Sequence, residues 1–439
     1  MAKQAPLSAK DLKAKRERYI IPTVKHWYTD PPHFVRGEMQ HLYDETGKEY
    51  LDFFGGICTV SVGHCNPVVT DAVVEQAKEL QHTSTIFMSQ PMVDLAEKLV
   101  ALAPFSGGKA FLTNSGTEAN ETAIMLSKVA SGRNEIIALK HSYHGRSWLA
   151  GSLTSNGAYR VDPMPVPGIV FAQNPYCYRC PFGLEYGSCE MQCVKALEET
   201  IQTQTNGEPA VMIAEPIQGV GGLIAPPPPY FSLAKQVLDK YGVLLIADEV
   251  QTGFGRTGEA FWGISSYGVE PDLVTMAKGI ANGFAAGGCV AKAAVADKLQ
   301  RPTINTFGGN PISSAAAMAT IGYIEDRKLQ DNASVVGGYL MDKLRELAEQ
   351  YPIIGDVRGK GLMIGVELVK DRSTKEPAVD LCNGVLDLTK DAGLIIGKGG
   401  QMGCTLRIQP PLNITKADVD QAIAILSKAL AQVSQAVLA

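Results

Sequence analysis

The chain has 439 residues, is 45% hydrophobic and 19% charged, and carries a net charge of -5. These are globular values for a chain long enough to hold two domains and a large core, and they argue against a disordered chain or a nucleic-acid partner. No apolar run approaches the ~18 residues a membrane span needs. Nine scattered cysteines with no signal peptide suggest reduced thiols in a cytoplasmic setting.

Residues 8–18 read as a short charged helix, with Ser8 as its cap and Asp11 three residues on. Its basic residues are mixed with Asp11 and Glu17, which makes it a surface helix rather than a transit peptide. Residues 34–53 alternate like a small hairpin turning at D-E-T-G-K, and 68–103 read as two helices. The strand 109–113 runs into N-S-G-T-E-A-N (114–120) and a helix with apolar positions at Ala119, Ala123, Leu126 and Val129. A strand, a tight turn and a helix N-terminus make an anion site, because the unpaired backbone N–H groups and the helix dipole converge there. The strand 135–139 leads into H-S-Y-H-G-R-S (141–147), where an aromatic at a strand end can stack on a flat heteroaromatic ring.

Residues 174–193 contain Cys177 and Cys180 as C-x-x-C, then Cys189 and Cys193 as C-x-x-x-C. Those spacings suit zinc, an iron–sulfur cluster, or a surface insertion with reduced thiols. The strand 210–214 ends on Glu215. A proline-rich loop (225–230) precedes a helix at 231–241.

The apolar run 243–247 reads as a buried parallel strand that ends on Asp248 and Glu249, with Gln251 just beyond. A second run, 273–277, ends on Lys278. Two neighbouring strands would bring an acid and a lysine to the carboxyl edge of one sheet, where open α/β folds bind ligands. Burial there lowers a lysine pKa, as covalent amine chemistry requires. Residues 287–291 form another apolar strand, followed by T-F-G-G-N-P (306–311) and a small-residue helix. From about 330 the pattern changes to a helix at 335–350, short strands at 357–368, 394–397 and 405–415, and a closing helix at 416–432.

D-E-V-Q followed some thirty residues later by an apolar run ending in A-K-G resembles the class III aminotransferases, which depend on pyridoxal phosphate. The resemblance covers roughly 10 to 435. It implies an α/β protein of fold type I, with a large domain built on a mostly parallel sheet (66–330). The smaller α+β domain is formed by 331–439 together with the N-terminal 1–65. Lys278 matches the lysine that holds the cofactor and shuttles the proton. Asp248 matches the acid at the pyridinium nitrogen, Val250 and Gln251 follow it in the same motif, and Gln251 lies near the ring hydroxyl. Ser115, Gly116 and Thr117 match the phosphate cup. Tyr143 and His144 match the ring-stacking motif, Glu215 the glutamate near the ring, and Thr306 a residue that reaches a neighbouring subunit's phosphate. Arg407 matches the arginine that binds the substrate α-carboxylate bidentately. Tyr19, Phe54, Cys58 and Arg146 are the remaining pocket candidates.

Ornithine- and 4-aminobutyrate-specific members of the family carry a second glutamate, which masks that arginine, where this chain has Val220. Y-R-C-P-F-G resembles an insertion of the alanine–glyoxylate branch, which is not generally metal-dependent, so no metal is expected. The family pattern implies a homodimer or a dimer of dimers with shared sites, acting on small amino donors with pyruvate or glyoxylate as acceptor. Three alternatives stand beside it. A nicotinamide enzyme would want G-x-G-x-x-G early in the chain, and none is present. A same-fold aminomutase or decarboxylase would need no keto-acid acceptor. A non-catalytic scaffold would not need Lys278.

Overall fold

The computed structural model describes residues 6–162 and 164–438. Three strands, β1 (Phe34–Glu38), β2 (His41–Asp44) and β3 (Glu49–Asp52), form an antiparallel meander near the N-terminus. The sequence suggests a single hairpin over this stretch. The chain instead turns twice, because Met39 adopts a left-handed conformation (φ 50) that ends β1 early.

The central sheet comprises β4 (Gly108–Thr113), β5 (Ile136–Leu139), β6 (Ile169–Ala172), β7 (Val211–Ala214), β8 (Leu244–Asp248), β9 (Leu273–Met276) and β10 (Gly287–Lys292). Their order is β4-β10-β9-β8-β7-β5-β6. Only β10 runs against the others, pairing antiparallel with both β4 and β9. The inner strands are buried along their whole length, which is why they read as continuous apolar runs rather than alternating ones. β8 and β9 are parallel neighbours, so Asp248 and Lys278 leave the sheet at the same edge. The ends of β4, β5 and β7 open onto that edge too.

The helix Gly116–Ser131 follows β4. Ser115 caps it, Glu118 lies in its first turn, and Gly132 ends it at φ 70. Ala119, Ala123 and Leu126 face the core as expected, whereas Val129 is 44% exposed near the helix end, where the packed face has turned away from the sheet.

The C-terminal strands are β11 (Ile354–Lys360), β12 (Met363–Leu368), β13 (Leu394–Ile395), β14 (Gly397–Gly399) and β15 (Thr405–Ile408). β11 and β12 make an antiparallel hairpin over 354–368, turning through Gly361 at φ 53, where the sequence suggests one strand over 357–368. A Cβ there would lie 2.5 Å from the Thr257 backbone, so only glycine fits. The sheet order is β11-β12-β15-β14, while β13 pairs parallel with β3 in the other small sheet. The chain thus crosses between the two small sheets at Ile396, whose carbonyl and N–H both bond to the Tyr28 hydroxyl. The helix Val379–Asp391, which the sequence reading does not anticipate, covers these strands. No helix among the described residues is long and apolar enough to cross a membrane.

Candidate active site

A cavity of about 210 Å³ opens at the carboxyl edge of the central sheet. Each strand end supplies part of its wall. Ser115, Gly116 and Thr117 come from the turn after β4, and Tyr143, His144 and Arg146 from the segment after β5. Glu215 follows β7, Asp248, Val250 and Gln251 end or follow β8, and Lys278 follows β9.

Lys278 begins a single 3₁₀ turn, Lys278–Ala281, with φ 47, a conformation rare for a residue with a side chain. Burial, and then the nearby Arg407 guanidinium, push its ammonium down to about 8. No carboxylate among the described residues forms an ion pair with it. An amine so poised is available as a free base close to neutral pH, as a nucleophile or proton carrier must be.

The Asp248 carboxylate is fixed from three sides. Asn120 Nδ2 donates to Oδ2 at 2.8 Å, His144 Nδ1 lies 2.7 Å from the same oxygen, and Val250 N donates to Oδ1 at 3.1 Å. Asn120 is absent from the sequence-derived set. The signal was present, since Asn120 stands four residues after Gly116 on one helix face.

Glu215 accepts from Tyr143 N at 2.9 Å and Gly219 N at 2.8 Å. Burial pushes its carboxyl up to about 7. The Tyr143 ring stands edge-on to Tyr159, 5.5 Å between centroids. The Thr117 hydroxyl accepts from Ser147 N (3.2 Å) and Arg146 N (3.3 Å), which ties the turn after β4 to the one after β5.

Arg407 lies beside this cavity. It is 2% exposed, and its NH2 donates to Gln251 Oε1 at 2.9 Å and Gln409 Oε1 at 2.8 Å. Both partners are neutral amides. Its Nε has no partner, and among the described residues no carboxylate lies within ion-pairing distance. Burial holds its pKa below the ordinary arginine value. The Phe54 ring centroid lies 5.5 Å from the guanidinium carbon and 5.3 Å from the Trp27 ring. Glycines make the room: a Cβ at Gly399 would come 2.7 Å from Arg407 Cδ, and one at Gly397 would strike the Phe54 ring. Cys58 is buried and its Sγ donates to Gln251 O at 3.5 Å. Val220 is buried nearby and carries no charge.

Arg407, Phe54 and Cys58 adjoin the cavity wall without lining it, and two further sequence-derived residues lie away from it. Tyr19 is 68% exposed at the end of helix Ala9–Tyr19, which buries none of its residues, so it stays outside the pocket. Thr306 is exposed and lines a separate surface groove with Asn114, Glu118 and Phe307. The four cysteines of the insertion share a small crevice with Tyr176 and Phe182 and are all free thiols. No group of three or more metal-ligating side chains converges among the described residues.

The donor set fits pyridoxal phosphate. The unpaired N–H groups of a helix N-terminus suit its phosphate, a hydrogen-bonded buried carboxylate its ring nitrogen, an aromatic face its ring, and a desolvated lysine its aldehyde. The fold and the site together define a pyridoxal-phosphate enzyme of fold type I.

Comparison with known proteins narrows this. Residues 24–430 match the family described as aminotransferase class-III, and the chain belongs to that family. It is 44% identical to the mitochondrial alanine–glyoxylate aminotransferase 2 homolog 2 of Arabidopsis thaliana, over 94% of this chain and 86% of that one. It is 38% identical to a leucine/methionine racemase of Thermococcus litoralis, over 95% of each. Among solved structures, an (S)-enantioselective omega-transaminase from Thermomicrobium roseum superimposes with a TM-score of 0.90 at 35% identity, covering 98% of this chain and 99% of that one. The chain is therefore an aminotransferase that depends on pyridoxal phosphate.

Proposed function

We propose that this enzyme passes an amino group from a small amino donor to pyruvate or glyoxylate in a ping-pong cycle. One observation carries the reading: Arg407 is a buried guanidinium whose hydrogen-bond partners are neutral amides. A buried cation left without an anion is costly unless a ligand supplies one. The α-carboxylate of a short keto acid supplies it, with the two-pronged geometry a guanidinium favours. The alanine–glyoxylate relative acts, by its name, on such a pair.

The residues divide the work. The bound cofactor supplies an electron sink for charge that develops at the substrate carbon. Ser115, Gly116 and Thr117 would hold its phosphate end, Asp248 its ring nitrogen, and Tyr143 a ring face. Lys278 Nζ is the amine of covalent attachment and, once free, takes the proton from the substrate carbon and returns it. Asn120 and His144 keep Asp248 oriented. Arg407 orients the acid, with Phe54 and Cys58 packed beside it. Arg146, exposed at the mouth, is available to the far end of a longer donor.

The functional unit in this reading is a homodimer or a dimer of dimers. Ile86, Phe87, Met88, Ile304 and Phe307 are large apolar side chains more than 60% exposed, a surface that a second copy would cover. Thr306 lies among them, and in this reading it serves a neighbour's site rather than its own. The free thiols suit a reducing compartment, the cytoplasm in this reading.

The test is the visible spectrum of the holoenzyme when one donor is added without acceptor. L-Alanine should bleach the cofactor band and 4-aminobutyrate should leave it nearly unchanged. The reverse would assign the chain to the 2-oxoglutarate branch despite Val220. Turnover of a single amino acid with no keto acid present would favour the racemase-like or aminomutase reading instead.

A further inference from the structure

The turn at 219–222 is gripped at one carbonyl. Gly222 O accepts from Arg358 Nε at 2.9 Å and from Arg358 NH2 at 2.6 Å. Arg358 is itself locked. Its NH1 lies 2.7 Å from Asp356 Oδ2, its NH2 2.7 Å from Glu367 Oε2, and its guanidinium stands 4.8 Å from the Tyr176 ring centroid. Glu367 is buried and also accepts from the Tyr176 hydroxyl and Arg179 Nε.

The same turn reaches the active site by three routes. Gly219 N donates to Glu215 Oε2 at 2.8 Å. Val220 O accepts from Gly400 N at 2.9 Å. A Cβ at Gly399 would come 3.2 Å from Val220 O as well as 2.7 Å from Arg407 Cδ, so turn, strand end and Arg407 stem are in close contact. The sheet register explains the arrangement. Arg358, Gly365 and Arg407 stand in one row across β11, β12 and β15. The turn packs on the bare Gly365, where a Cβ would come 3.0 Å from Gly222 O.

We propose that Arg358 is a positioning residue for carboxylate recognition. It clamps the 219–222 turn against Gly365, and the turn holds Glu215 and the back of Arg407 in place. Arg358 is not among the residues that line the cofactor cavity. The inference rests on the reading of Arg407 as the α-carboxylate arginine and extends it one layer outward.

The experiment uses holoenzyme of Arg358→Gln and Arg358→Lys, with Arg407→Ala as reference. Half-reactions are followed by cofactor absorbance with L-alanine and, separately, with 1-phenylethylamine, an amine that has no carboxylate. The apparent affinity for L-alanine should fall about tenfold in Arg358→Gln and less in Arg358→Lys, as a small misplacement of a binding group does. 1-Phenylethylamine should stay within about twofold by the same reasoning. In the apoprotein, backbone hydrogen exchange over 219–224 should be faster in Arg358→Gln than in the parent.

Unchanged L-alanine binding, equal losses for both donors, or unchanged exchange would each overturn the proposal. Should Arg358→Gln not fold, Arg358→Lys decides by the same two readouts. If Arg407→Ala separates the two donors and the Arg358 variants do not, only this inference fails. If Arg407→Ala fails to separate them, the reading of Arg407 fails and takes the inference with it.

Discussion

Arg358 and Arg407 stand in register on one small sheet, separated by a single strand and by Gly365. Two strand spacings put their backbones about 10 Å apart. Their surroundings are opposite. Arg358 has Asp356 and Glu367 as ion-pair partners, and although burial would lower its pKa, these groups and Tyr176 hold it well above the ordinary arginine value. Arg407 has two amide oxygens and an unpartnered Nε, and burial lowers its pKa. Two guanidinium groups of the same sheet, one largely and one fully buried, are therefore in different electrostatic states. The first is neutralised within the fold and acts as structure. The second is left open and acts as a receptor. Burial alone does not tell the two roles apart; the charge of the partners does.

The largest effect should come from Lys278, a largely buried cation that also has no ion-pair partner among the described residues. Lys278→Ala should still bind cofactor but lose turnover by about 10⁴-fold or more, the scale of a lost proton carrier and nucleophile. Residual transamination at the parent rate would remove Lys278 from its assigned role. Arg407→Ala comes next. Losing charge-assisted hydrogen bonds of about 1.5–3 kcal/mol should raise KM for pyruvate about 10- to 100-fold and spare a carboxylate-free amine. Steady-state kinetics on both substrates check this.

Gln409→Glu would turn the Arg407 environment into a copy of the one around Arg358. Gln409 Oε1 already accepts from Arg407, so the change puts a resident carboxylate where the substrate's should go. KM for pyruvate should rise about tenfold while the fold stays intact, by the same hydrogen-bond energies. An unchanged KM would show that Arg407 does not need an open charge.

Glu249 is the reverse of Arg407, a buried carboxyl with hydrogen bonds but no cationic partner among the described residues. It accepts from the Thr252 hydroxyl, Gly263 N and Ile264 N, and burial pushes it up to about 7. Between its ordinary value of 4.5 and about 7, the folded protein keeps a proton that the unfolded chain has released. Its contribution therefore falls as pH rises through that window, and the penalty is complete above about 7. Measured by denaturant titration, the parent should lose up to about 3 kcal/mol relative to Glu249→Gln between acid and neutral pH. Parallel pH profiles would remove Glu249 as the cause.

The smallest effect lies beyond Arg358, at the insertion whose Tyr176 and Arg179 hold Glu367. Chelators such as 1,10-phenanthroline should leave activity and melting temperature unchanged, since the four cysteines do not converge on one point. Stoichiometric metal whose removal inactivates the enzyme would reverse that expectation.

Much of the cofactor side was legible in the chain. Apolar runs ending in Asp248 and Lys278, and a strand-turn-helix at 114–120, are local patterns, and parallel strands must deliver their ends to one edge. The place of Asn120 on the Gly116 helix face was readable, but its partner was not, because Asp248 lies 128 residues further along the chain. Tyr19 was misplaced for the same reason, since its helix packs on the outside of the fold.

The substrate side follows a different rule. The sequence by itself determined the α/β architecture, the anion-binding turn, the acid–lysine pair and the arginine on β15, because strand period, turn chemistry and helix capping act over a few residues. Only the tertiary structure decided that Gln251 and Gln409 would face Arg407, that Asp356 and Glu367 would claim Arg358, and that Gly365 would leave room for the turn between them. Two of those choices join groups far apart in the chain: Gln251 and Arg407 are 156 residues apart, and Gly222 and Arg358 are 136 apart. They are set by which side chains share a buried, low-dielectric space, where an ion pair and an amide contact differ by whole units of pKa.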